Sequence, residues 1–66
     1  MDNIEKELRE EIYRSLKNVT KENCPNVWNR IQTKEGYTQV EEMIINMVIN
    51  DNITPSSCIS QIEDYV

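Results

Sequence analysis

From Val40 to Ile49 the chain runs Val-Glu-Glu-Met-Ile-Ile-Asn-Met-Val-Ile, and wound as a helix this segment is apolar around most of its circumference. Val40, Met43, Ile44, Met47 and Val48 form one stripe, and Ile45 and Ile49 point to the far side. Glu41, Glu42, Asn46 and Asn50 are left with a narrowed polar face. A helix of this kind is generally covered on two sides. It is therefore either the central helix of a monomer, or Ile45 and Ile49 seed an interface with a second copy or another protein. The choice matters because a 66-residue chain buries only about 60% of the surface it exposes when unfolded, so a partner subunit is one route to stability.

The rest of the chain reads as helices joined by short turns, an all-α, three-to-four-helix bundle in a single domain covering residues 1–66. Ile4, Leu8, Ile12, Leu16 and Val19 share one face of a first helix over 3–19, with Glu5–Arg9 and Glu10–Arg14 at i,i+4 spacing on its outer surface. Pro25 suits the first position of a short second helix over 25–32, where Trp28, beside Val27 and Ile31, is expected to anchor the segment. Gly36 then marks a break. Thr38-Gln39-Val40-Glu41 matches a capping box, which predicts a third helix over 39–50. Thr54-Pro55 pairs an N-cap hydroxyl with proline at the first helical position and opens a fourth helix over 55–66, with Cys58, Ile59, Ile62, Tyr65 and Val66 on one side.

Charge is divided unevenly. All seven Lys and Arg lie in residues 1–34, whereas residues 35–66 carry Glu35, Glu41, Glu42, Asp51, Glu63 and Asp64 with no basic residue. Nucleic-acid affinity rests largely on cations displacing counterions from phosphate, so this half argues against direct DNA or RNA binding. The last two helices have the tight connection of a helix-turn-helix, yet the would-be recognition helix has Ser56, Ser57, Ser60 and Gln61 but no Lys or Arg to hold phosphates. No apolar run approaches the roughly 20 residues of a membrane span, and Asp2, Glu5 and Glu7 stand where a secretory leader would be basic. A cytoplasmic protein that does not enter the membrane is expected.

Catalytic signals are weak. Tyr13 and Lys17 have the YxxxK spacing of short-chain dehydrogenases, but that chemistry needs a glycine-rich cofactor-binding βαβ unit, and the chain has one Gly. Cys24 stands at a helix N-terminus, where a thiolate is favoured, but there is no His to serve as its base. Cys24 and Cys58 are too few for a disulfide framework and do not form a CxxC pair, so reduced thiols are expected. Two thiols without His make a poor zinc set. Asn50-Asp51-Asn52 lacks the glycine and terminal glutamate of an EF-hand loop. Asn18-Val19-Thr20 and Asn52-Ile53-Thr54 match the glycosylation sequon, which has no meaning without export.

These readings converge on a small acidic protein-interaction module, a regulator, adaptor or subunit without catalytic activity, metal, cofactor or small-molecule ligand. The expected partner is another protein or a second copy. Ile45 and Ile49 are the expected contact residues, with Glu41, Glu42, Glu63 and Asp64 as an acidic rim. The competing class is nucleic-acid-related: a weak helix-turn-helix, or an acidic mimic of DNA that inhibits a DNA-binding protein.

Overall fold

The computed structural model describes residues 3–66, and Asp2, part of the acidic start, lies outside them. The described residues form four helices and no strand: α1 (Asn3–Leu16), α2 (Pro25–Arg30), α3 (Lys34–Asp51) and α4 (Pro55–Ile62). The central element is α3, against which α1, α2 and α4 all pack, and α1 also packs on α4. The broad apolar circumference of α3 is thus covered from several directions within one chain. Among the described residues nine apolar side chains close the core: Ile12, Leu16, Val27, Val40, Ile44, Ile45, Cys58, Ile59 and Ile62.

The core residues of α1 are confined to its second half, where Ile12 and Leu16 are buried. Ile4, expected on the core stripe, is 77% exposed, so the stripe runs past the edge of the bundle. The helix also ends earlier than its periodicity predicts. Lys17 and Asn18 continue only as a turn and Val19 is irregular, because local side chains offer the backbone an alternative. The Thr20 N–H donates to Asn23 Oδ1 at 2.8 Å, the Asn23 N–H donates back to Thr20 Oγ1 at 3.1 Å, and Asn23 Nδ2 donates to the Asn18 carbonyl at 3.1 Å.

The start of α3 differs from the expectation most clearly. Its N-cap is Thr33, whose Oγ1 accepts from the Gly36 N–H at 3.0 Å, so Thr38 and Glu41 lie inside the helix and form no capping box. Gly36 is not a break and has no positive φ. It is a buried first-turn residue, and a Cβ built on it would stand 1.8 Å from the Arg30 carbonyl oxygen. Glycine is required there because the end of α2 presses its backbone against the start of α3. The left-handed residue is Asn52 (φ 57°, ψ 43°), which caps α3 with its N–H on the Val48 carbonyl. Asn is among the few residues that enter this region readily.

The start of α4 follows the sequence reading. Thr54 Oγ1 accepts from the Ser57 N–H at 3.3 Å, and Pro55 occupies the first turn. The helix stops at Ile62, and Tyr65, expected on the buried face, is 77% exposed. Trp28 is also displaced from its expected role: the fully buried anchor of α2 is Val27, and Trp28 is half-buried with Lys21 Nζ 5.7 Å from its ring centroid.

Candidate interaction surface

Arg9 is the electrostatic hub of the surface. On α1 it pairs with Glu5 one turn back (3.3 Å), and across to α3 with Glu41 (2.7 Å) and Glu42 (3.4 Å). The Glu5 hydrogen bond foremost, reinforced by Glu41 and Glu42 against the cost of burial, holds the guanidinium above its ordinary range. Glu41 is drawn in with its side chain 15% exposed, whereas Glu42 remains 55% exposed. The expected Glu10–Arg14 bridge is not among the ion pairs of the described residues, all of which converge on Arg9.

Glu63 is not a rim acid either. Its carboxylate accepts from the backbone N–H groups of Asn26 and Val27, both at 2.9 Å, and Asn26 Nδ2 returns a bond to the Glu63 carbonyl at 3.1 Å. The N-cap residue of α2 is Cys24, which makes no side-chain cap bond, so the acid that satisfies this helix start comes from beyond α4. The same carboxylate changes the expectation for Cys24. Burial, and then the charge of Glu63, push its thiol up rather than down, which opposes thiolate formation. Cys58 is fully buried and donates through Sγ to the Ile44 carbonyl at 4.0 Å, and burial followed by Asp51 pushes it up as well. Both cysteines are free thiols.

The two isoleucines chosen from the pattern of α3 part company. Ile45 is 7% exposed and belongs to the core, so its expected place at a contact surface is corrected. It lies one turn beyond Glu41 and is packed in the core of the same chain. Ile49 lies one turn further and is 69% exposed. Glu42 shares its direction, since seven residues return to nearly the same side of a helix. Asp64 is also exposed. Of the six expected surface residues, Ile49, Glu42 and Asp64 are open to solvent, whereas Ile45, Glu41 and Glu63 are engaged within the chain.

An open groove of about 550 Å³ lies between α1 and α3. Glu5, Arg9 and Tyr13 line it from successive turns of α1, with Lys6 and Glu10 beside them, and Tyr37 and Glu41 from successive turns of α3. Tyr13 and Tyr37 are shared with a second hollow of about 190 Å³ that continues toward Leu16, Lys17, Ile31 and Gln32. Lys17 Nζ rests 4.9 Å from the Tyr13 ring centroid, which gives the YxxxK spacing a plain cation–π explanation. Burial, followed by the charge of Glu41 and then Tyr13, raises the Tyr37 phenol. Sequence reasoning noted the Glu5–Arg9 and Tyr13–Lys17 pairs separately. Their common four-residue ladder, 5-9-13-17, facing the shorter ladder 37-41, was the available signal for the groove.

No protein-family model, curated protein or solved structure matches this chain. Among the described residues no helix is long and apolar enough to cross a membrane. No group of three or more His, Cys, Asp or Glu there is placed to hold a metal ion.

Proposed function

We propose that this chain is a small acidic helical protein-interaction module, a regulator, adaptor or subunit that acts by contact and not by catalysis. The observation that carries the reading is Ile49, a large aliphatic side chain left 69% exposed on the central helix, on the same side as the exposed carboxylate of Glu42. Tyr13, at 52% exposure, adds an aromatic surface beside the α1–α3 groove. Apolar area rimmed by charge is the usual mark of a protein partner. The nucleic-acid alternatives gain nothing comparable: α4 turns Cys58, Ile59 and Ile62 inward and offers only uncharged polar groups outward, and Glu41 and Glu63 are tied into internal bonds instead of forming a phosphate-like row.

The test is the solution mass of the full chain over a range of concentrations, together with isolation of stoichiometric partners from cells that express it, each repeated with Ile49→Glu. Self-association or a stoichiometric protein partner is expected, weakened at least tenfold by the substitution. A chain that stays monomeric and retains no stoichiometric protein overturns the reading.

A further inference from the structure

Helix α2 has little of its own to keep it folded. Six residues are too few for a helix to persist in water, and of the six only Val27 is buried. The other eight of the nine buried core residues belong to α1, α3 and α4, each of which packs on the other two. These three helices therefore close a core among themselves, and α2 is added to it chiefly through its contact with α3. Its second attachment is to residue 63. The Asn26 and Val27 N–H groups donate to the Glu63 carboxylate at 2.9 Å, and Asn26 Nδ2 donates to the Glu63 carbonyl at 3.1 Å.

We propose that α2 is a latch: it opens from the packed triad of α1, α3 and α4 as a unit of its own, without unfolding the triad, and Glu63 is its catch. This goes beyond the interaction-module reading and does not rest on it.

A segment with few buried apolar contacts opens at a lower free energy than the whole molecule unfolds. Val27 supplies the apolar part of the cost of opening α2, because its side chain must leave the core. Glu63 supplies the polar part, because the first turn of α2 then gives up the acceptor that Cys24, the N-cap residue without a side-chain cap bond, does not provide.

The position of the latch gives its opening a consequence at two places. Asn23 and Cys24 form part of the wall of a cleft of about 140 Å³ beside Ser15, Ser56 and Ile59. Ile31 and Gln32 form part of the wall of the hollow of about 190 Å³ beside Tyr13, Leu16 and Tyr37. One segment thus borders two separate hollows, one before α2 and one after it, and both lose a wall when the latch opens. A molecule that binds either hollow better with the latch shut shifts the population toward the shut form, and so acts on the other hollow as well.

The test is native-state hydrogen exchange of the full chain, followed by NMR in water and in low urea. The Trp28 and Ile31 amides, bonded to the Cys24 and Val27 carbonyls, report on the latch, and the amides of Ile44 and Val48 within α3 report on the triad. Opening at Trp28 and Ile31 is expected to be at least tenfold more frequent than at Ile44 and Val48. Its urea slope should be less than half as steep, because the slope follows the surface that opening exposes. Glu63→Ala should raise opening at Trp28 and Ile31 at least fivefold. Ile45→Val, a one-methyl cut within the triad, should speed exchange at Ile44 and Val48 at least twofold and leave Trp28 and Ile31 unchanged, since the triad is intact with the latch open or shut. Latch amides that share the rate and urea slope of the α3 amides, or that respond equally to Ile45→Val, overturn the proposal. Opening that Glu63→Ala leaves unchanged overturns it too, because the latch would then have no catch at residue 63.

Discussion

The Val27 N–H and the Glu63 carboxylate, 36 positions apart in the chain, meet in a hydrogen bond of 2.9 Å, and through it the residue that follows α4 fixes the start of α2. A helix of six residues is far too short to persist alone. Its stability comes from Val27 in the core and from this borrowed acceptor.

Removing the acceptor should therefore loosen α2 selectively. Glu63→Ala is expected to cost about 1–2 kcal/mol, the range for losing a strong N-cap, and Glu63→Gln less, because one amide oxygen can still accept. Urea unfolding followed by circular dichroism gives the loss, and Trp28 fluorescence reports on α2 itself. A loss below about 0.3 kcal/mol for Glu63→Ala would show that the bond contributes nothing beyond solvation of the helix end.

Two threonines compete for the start of α3, and their substitutions separate them. Thr33→Ala should cost about 1 kcal/mol through the lost bond to the Gly36 N–H. Thr38→Ala, on the exposed side of an established helix, should stay within about 0.5 kcal/mol of the parent. Equal losses, or a larger loss at Thr38, would restore the later helix start.

Gly36→Ala would stabilise an ordinary helix by up to about 1 kcal/mol. Here the added methyl meets the Arg30 carbonyl, so a loss of about 1–3 kcal/mol is expected from overpacking. Thermal or urea midpoints decide the sign, and a gain in stability would mean that α2 and α3 do not approach so closely.

Ile45 and Ile49 differ by one helical turn and should differ sharply in consequence. Ile45→Ala is expected to cost about 2–5 kcal/mol as a core deletion, and Ile49→Ala to stay within about 0.5 kcal/mol. Similar costs at the two sites would contradict the assignment of one to the core and the other to the surface.

Alkaline pH should weaken the fold. Cys24, Cys58 and Tyr37 are acids held protonated above their ordinary values of 9.0 for the thiols and 10.0 for the phenol. Above pH 9 the unfolded chain gives up these protons before the folded one, so stability present at neutral pH declines as pH climbs through the raised values. Urea midpoints between pH 7 and pH 11 test this, and Tyr37→Phe should flatten the upper part of the decline. At neutral pH a thiol reagent should modify Cys24 slowly and Cys58 only on unfolding.

Local chemistry made much of the architecture legible. Thr54-Pro55 opens α4 where the sequence places it, and the apolar girth of α3 foretold a helix covered on several sides. What escaped was decided by residues distant in the chain. Thr38–Glu41 is a sound capping pattern, but Arg9 engages Glu41 and Thr33 supplies the cap. Trp28 was the obvious anchor by size, yet Val27 is the residue that points inward. Ile45 and Ile49 are indistinguishable by hydropathy, and only the packing of the other helices on α3 buries the first and leaves the second exposed.

The debt of α2 to Glu63 also has an order in time. As the polypeptide leaves the ribosome, residues 25–30 emerge long before the carboxylate that completes their first turn. The nascent α2 must wait, uncapped, until residue 63 has been synthesised and has cleared the exit tunnel.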